Sequence, residues 1–349
     1  MVLIVEPLHQ GHHLYWLRLL TEECRRKGGR VTILTTSTAA ESAEWRTHLD
    51  LKNLEVVLLP LSEFTLPDIA KVAADLEASV TVIPHADPHL LSVVRRGWAG
   101  PGNLKVLFMN AYGQRVPPFS WARPAKTVAK RVLIWAAGLQ PGVVAYAVRS
   151  PLVHPRASLR WVADPVTIEC SSQQIYATRN ILEAGGSDYW VGVFGAITPR
   201  KNLPLIVESI LDQPEIGLLI AGRIEQQVSL IATPLLKKFT ANGGKLIHLP
   251  GPLSNVDFDS AIGAVDCVVV AQSFEGTSGV VIKSAALGRR LVLAGAESLR
   301  ADATSLGDQA TWSPLNVDAL RQAIERARHA PEPSGSVELS ASEFLRALI

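Results

Sequence analysis

Ten short apolar runs punctuate this chain in two groups of five, with helical patterns between them, and that alternation restricts the fold more than any other feature. The first group is Val2–Val5, Val31–Leu34, Val56–Leu59, Val80–Ile83 and Lys105–Met109. Runs this short, rich in β-branched and aliphatic residues, suit parallel strands covered on both faces. Between the first two lies His13–Lys27, where Leu14, Leu17, Leu20 and Cys24 share one helical face. Arg25, Arg26 and Lys27 at its end complement the helix dipole, and Gly28 is a stop signal. The second group is Trp190–Phe194, Gly217–Ala221, Lys245–Leu249, Cys267–Val270 and Arg290–Ala294, with helical patterns at Leu203–Leu211, Ser229–Asn242 and Asp257–Val265. Strand and helix alternating in this way predict an α/β protein with two doubly wound parallel sheets.

A length of 349 residues fits two domains. The expected boundaries are 1–163 and 166–330, with a Pro-rich connection near Ser150–Cys170 whose "RWVADPV" reads as a hinge. A linker, "APEPSGS", then leads to a short amphipathic helix over Glu338–Leu348. Two such halves facing a cleft would put ligands at the carboxyl ends of both sheets.

With 48% apolar and 19% charged residues the chain is not disordered, and a net charge of +2 implies no polyelectrolyte partner. Cys24, Cys170 and Cys267 are widely spaced and odd in number, which fits free thiols in a reducing, cytoplasmic setting. The N-terminus has no basic leader and reads as a first strand. The 17 uncharged residues 132–148 are interrupted by Gln140, Pro141 and Gly142. That is short of the about 20 apolar residues a spanning helix needs, so two short packed or membrane-touching helices are expected there.

Two motifs carry candidate chemistry. In "VFGAITPRKNLPLIVESI" a strand ends at Gly195, and Arg200 and Lys201 precede a helix, which together suit an anion. The alternative is a solvated basic turn beside a helix cap. In "SFEGTSGVVIKSAALGRRLVLAG", Glu275 lies beyond a strand, and the loop Gly276, Thr277, Ser278, Gly279 enters a helix whose amides could cradle phosphate. Glu275 could accept sugar hydroxyls or stabilise charge at an anomeric carbon, or it could simply cap a helix.

The order strand, G-x5-K, helix, "LLIAGR", "HLPGPLSNVDFDSAIGAVDCVVVAQSFEGTSG" and "ALGRRLVLAG" resembles family 4 of the GT-B glycosyltransferases over residues 189–295. The opening "GHHLYWLRLL" resembles that family more weakly, through Gly11 and His12. The resemblance implies a GT-B fold, two Rossmann-like domains facing a cleft, with the last helix packing back on the N-terminal domain. It implies retaining transfer from a nucleoside diphosphate sugar without a bound metal or other cofactor. By position Lys201 would hold the donor phosphates with the amides of Thr277, Ser278 and Gly279, and Glu275 would contact the sugar. Leu249, Pro250, Gly251 and Leu253 would lie near the base, and Gly11 and His12 would face the donor. Three positions depart from the family pattern: Ala196 replaces an arginine, Lys283 a ribose-binding glutamate, and Asn110 a histidine. Arg223 is positioned to replace the missing arginine, and Lys283 to add a phosphate contact.

The family's N-terminal domain holds the acceptor, which makes His85, Asp87 and Asn110 acceptor-side candidates. "HADPH" superficially suggests a metal, but a cleft wall is the expectation. From Arg115 to Ala163 there is no Asp or Glu, while Arg115, Arg123, Lys126, Lys130, Arg131, Arg149, Arg156 and Arg160 are interleaved with aromatic residues. This suits an anionic membrane surface and a glycan or lipid-linked acceptor, with the protein peripheral on a membrane's inner face. No nucleic-acid recognition motif accompanies the patch. The alternative to an enzyme is a non-catalytic GT-B protein serving as a binding partner or a subunit in a glycan-assembly complex.

Overall fold

The computed structural model describes residues 1–9, 13–49, 54–109, 111, 123–153, 159–251, 253–333, 335 and 337–349. The chain divides into two compact units. The first comprises Met1–Arg149, Pro155–Pro165 and Ala341–Ile349, and the second Ser150–His154 and Val166–Ser340.

The first unit is built on a seven-stranded sheet in the order β3-β2-β1-β4-β5-β6-β7. Its strands are β1 (Val2–Val5), β2 (Val31–Thr35), β3 (Glu55–Leu58), β4 (Val80–Ile83), β5 (Asn103–Phe108), β6 (Val143–Arg149) and β7 (Trp161–Ala163). Every pairing is parallel. Alternation along each strand feeds a core on either face. Leu3, Val5 and Leu34 point into one, and Ile4 and Ile33 into the other. The chain starts at β1, winds outward to β3, then returns to β4 on the other side of β1. The order therefore reverses between β1 and β4, which is where an open parallel sheet leaves a crevice.

The second unit repeats the plan with six parallel strands in the order β10-β9-β8-β11-β12-β13. They are β8 (Tyr189–Phe194), β9 (Ile216–Ala221), β10 (Lys245–Leu249), β11 (Cys267–Gln272), β12 (Arg290–Gly295) and β13 (Ala310–Ser313). Val191, Val193, Leu218, Ile220, Val269 and Ala271 fill one core, and Trp190, Phe194, Leu219, Val268 and Val270 the other. Here the reversal falls between β8 and β11. All three cysteines are free thiols.

Three strands differ from the sequence expectation. The uncharged run 132–148 is not a pair of helices. One helix, Arg123–Ala137, is followed by a turn with Gly142 at φ 71° and then by β6. The half-buried positions of β6, Val144 and Tyr146, are apolar as well, so the strand shows no polar alternation and its sequence imitates an apolar helix. The expected hinge at "RWVADPV" contains β7, which pairs with β6 from Ala147↔Trp161 to Arg149↔Ala163. β13 is an edge strand whose residues, Ala-Thr-Trp-Ser, make no aliphatic run.

The final helix is Ser342–Leu348 and belongs to the first unit. Phe344 is fully buried, its ring centroid 5.1 Å from that of Trp16, and Leu348 is buried beside it. Glu343 accepts from Arg149 Nη2 at 2.7 Å and from the Ala163 backbone N–H at 3.2 Å, which ties the helix to the ends of β6 and β7. Truncating a buried phenylalanine costs about 3–5 kcal/mol. Phe344→Ala is expected to lower stability by that amount, measured by urea denaturation followed through tryptophan fluorescence; a loss under about 1 kcal/mol would show that the helix is not part of this core.

Candidate functional site

In the second unit the order reversal between β8 and β11 brings the two sequence motifs together. A recess there is lined by Val193, Phe194 and Lys201 from the β8 side and by Val269, Val270, Ala271 and Gln272 of β11, with Ser278 and Val280 closing it. Its shape depends on glycine at two strand tips. Gly195 has φ 88°, and a Cβ there would lie 2.8 Å from Lys201 Nζ. Gly222, at the tip of β9, has φ 133°, and a Cβ would meet the Gly195 carbonyl oxygen at 2.2 Å. Both positions have a left-handed backbone that favours glycine, and at Gly222 the added Cβ would also strike backbone that cannot give way.

After Gly195 the chain makes a short turn over Pro199–Lys201 and passes through Asn202, which is left-handed at φ 49°. The Asn202 amide donates to the Ala271 carbonyl at 3.1 Å and to Ser273 Oγ at 2.9 Å, and the Ser273 backbone N–H donates to the Arg200 carbonyl. This clasp holds the loop against the end of β11 and turns Lys201 inward. Lys201 Nζ donates to the Phe194 carbonyl. Burial pushes its amine down to about 8, and the neighbouring Arg200 charge adds to the shift. Among the described residues no carboxylate pairs with it. Arg200 and Arg223 are exposed. Arg223 stands alongside Ala196, since the Ile197 N–H donates to the Arg223 carbonyl and the Ile224 bridge follows.

The remaining candidates fall into three groups. Gly276, Thr277, Ser278 and Gly279 form the entry to the helix Gly279–Ala286, with Ser278 buried and open space where a Cβ on Gly276 or Gly279 would lie. Glu275 is buried, and its two carboxylate oxygens accept from the backbone N–H groups of Glu297 at 3.2 Å and Ser298 at 2.8 Å. It thus caps the helix Glu297–Leu306, the simpler of its two sequence readings, which fixes the carboxylate's orientation. Leu249 and Leu253 pack partly into the core at the end of β10, with Pro250 exposed and Gly251 at φ 101°.

Lys283 does not serve as a phosphate contact. Its amine pairs with Asp259, whose side chain is fully buried, and donates to the Thr167 carbonyl at 3.0 Å. The other Asp259 oxygen accepts the Glu169 N–H at 2.8 Å. Lys283 is a structural cation that fastens three segments, because a buried carboxylate without a counter-charge is costly.

In the first unit Gly11, His12 and Asn110 lie outside the described residues. Asp87 accepts from the Met109 N–H at 2.7 Å and from Lys130 Nζ at 2.6 Å, so it secures the end of β5 and the helix Arg123–Ala137. His85 instead faces His13, with ring centroids 4.8 Å apart, and His13 contacts buried Glu6. The "HADPH" residues therefore do not converge. Glu6, Asn202 and Asp259 escaped sequence reading because each acts on a residue brought to it only by the fold.

No protein-family model and no curated protein sequence matches the chain. Solved structures do. Anabaena HepE in complex with UDP-glucose aligns with a TM-score of 0.65 at 15% identity, over 94% of this chain and 89% of that one. Sucrose-phosphate synthase from Thermosynechococcus elongatus gives 0.64 at 14%, over 99% and 94%. WaaG, a glycosyltransferase involved in lipopolysaccharide biosynthesis, gives 0.61 at 13%, over 94% and 90%. The fold is that of the GT-B glycosyltransferases.

Lys201 also shapes the pH dependence of folding. Its pKa near 8 in the folded chain is below the ordinary value of 10.5, so the unfolded state binds more protons between those limits. This contribution to stability is unfavourable below pH 8 and is relieved as pH rises from 8 towards 10.5. Denaturation of wild type and Lys201→Met across that range is expected to show the difference in unfolding free energy between them shifting in favour of wild type as pH rises. A pH-independent difference would contradict the burial of this amine.

Proposed function

We propose that this chain is a retaining glycosyltransferase that takes its sugar from a nucleoside diphosphate sugar, without a metal at the phosphates, and passes it to a glycan or lipid-linked acceptor. The observation that carries the reading is Lys201: a desolvated amine, with no carboxylate partner among the described residues, held over a glycine strand tip where the sheet order reverses. Such an amine gains most from a dianionic ligand that restores its charge. Arg223, beside Ala196, takes the place of the absent arginine, and the amides of Thr277, Ser278 and Gly279 complete the phosphate cradle. Phosphate charge developing on the leaving group is stabilised by these donors, and the leaving phosphate takes the acceptor's proton. Glu275, oriented by two backbone amides, contacts the sugar. Structural neighbours crystallised with UDP-glucose and with UDP make the uridine donors the first to test.

The test is a thermal-shift and calorimetric screen of UDP, GDP, dTDP, ADP and their sugars. One series is expected to stabilise the protein, and Lys201→Ala is expected to weaken it about 100-fold, the loss of a charge-assisted contact of roughly 3 kcal/mol. Binding should also weaken above pH 8, by at most about tenfold per unit, because the empty-site amine loses its proton there. Glu275→Gln should keep donor binding and lose turnover. Binding by none of these nucleotides would support the second reading, a non-catalytic GT-B subunit, which Ala196 and the commitment of Lys283 to Asp259 favour.

The acceptor side suggests a membrane partner. Val128, Val132, Trp135 and Leu139 recur at helical spacing on and just past the helix Arg123–Ala137, and each is more than half exposed. Leu91, equally exposed, lies on the helix Leu90–Arg96 that packs against it and carries exposed Arg95 and Arg96. An apolar stripe with a tryptophan and a basic rim fits the interface of an anionic bilayer. No helix among the described residues is long and apolar enough to cross a membrane. Co-sedimentation with phosphatidylglycerol vesicles is expected for wild type and to fall at least tenfold in Val132→Glu/Trp135→Glu; equal sedimentation of both would rule out this surface.

A further inference from the structure

The order reversal in the first sheet gathers three side chains that the function above does not use. Glu6 follows β1 directly, and its backbone is pinned on both sides: its N–H donates to the Leu34 carbonyl at 3.0 Å, and its carbonyl accepts from Thr35 Oγ1 at 2.7 Å. His13 is the first residue of the helix His13–Arg26 that packs back over the sheet. His85 lies two residues past β4, the neighbour of β1 across the reversal, and the Ala86 N–H anchors that turn to the Leu107 carbonyl at 2.9 Å. Three separate elements thus aim their side chains at one point.

The donors are the right kind and close together. Glu6 Oε2 and His13 Nδ1 are 2.9 Å apart, and one ligand atom from each of Glu6, His13 and His85 lies within 4.8 Å of the others. The Glu6 side chain is buried, yet among the described residues no lysine or arginine pairs with it. Its other oxygen accepts the Leu8 N–H at 3.0 Å, which fixes the carboxylate's rotation as outer-shell hydrogen bonds do around metal ligands. We propose that Glu6, His13 and His85 bind a divalent transition metal of the zinc class at the carboxyl end of the first sheet. Two imidazoles and a carboxylate are the ligand set of open zinc sites, and they leave a fourth position for water or a substrate oxygen. Donors about 2.1 Å from a tetrahedral centre are roughly 3.4 Å from one another, so binding spreads the Glu6–His13 pair by about half an ångström and draws His85 in by at most about 1.4 Å. The partly exposed His85 side chain has room for that swing.

This site stands on residues of the first unit alone and needs no donor nucleotide, so its test is separate from that of the transferase reading. Tag-free protein, stripped with a chelator and freed of nucleotide, is titrated with Co2+ and then with Zn2+. The expected result is one equivalent of Co2+ with visible d–d absorption, displaced by Zn2+. His13→Gln and His85→Ala should each weaken uptake at least tenfold while melting, metal-free, close to wild type. No uptake at micromolar metal, or uptake unchanged in both variants, overturns the proposal. Should a variant fail to fold, wild-type crystals soaked in Zn2+ decide: an anomalous peak among the three side chains supports the site, and its absence there refutes it.

Discussion

The parallel pairing of β1 with β4, and of β8 with β11, is the constraint on which the chemistry of this chain depends. In each unit the chain winds outward in one direction and must then cross back over the first strand to continue in the other. The helices leaving the two central strands consequently lie on opposite faces, and the strand tips between them are left uncovered. Side chains far apart in sequence meet at those tips: Lys201 with Ser278 in one unit, Glu6 with His85 in the other. In the second unit left-handed backbone shapes the site, at Gly195, Gly222 and Asn202.

The parts of the fold that were legible in sequence are those with local periodicity. The ten apolar runs all correspond to strands, and His13–Arg26 begins at the expected residue and ends one residue short of the expected lysine. β6 was illegible because its half-buried face is apolar too, at Val144 and Tyr146, and β7 because three residues near a proline resemble a linker. The site was legible only as positions. That Lys201 would be a candidate followed from its spacing after Gly195. That its amine would be desolvated, that Glu275 would cap a helix more than twenty residues away, and that Lys283 would turn to Asp259 all depend on partners the sequence does not place.

The two lysines show how context divides one residue type into two roles. Lys283 meets a fully buried carboxylate and is neutralised by it, which makes it a fastener between the helices Asn255–Ala264 and Gly279–Ala286. Lys201 meets only a carbonyl and a like-charged neighbour, so its charge is held at a disadvantage. A cation satisfied inside the protein has little left to offer a ligand, whereas one left wanting is poised for an anion.

The return of the last helix to the first unit has a consequence for biosynthesis. A ribosome makes Trp16 long before Phe344, yet the two rings share one core. At elongation rates of about 5–20 residues per second, the first unit waits on the order of tens of seconds for the helix that carries Phe344. All of the second unit emerges in the meantime. The first unit therefore cannot close its core until the second has emerged, and during that interval the groove that Phe344 and Leu348 will fill stays open to chaperones, proteases and the neighbouring chains of a polysome.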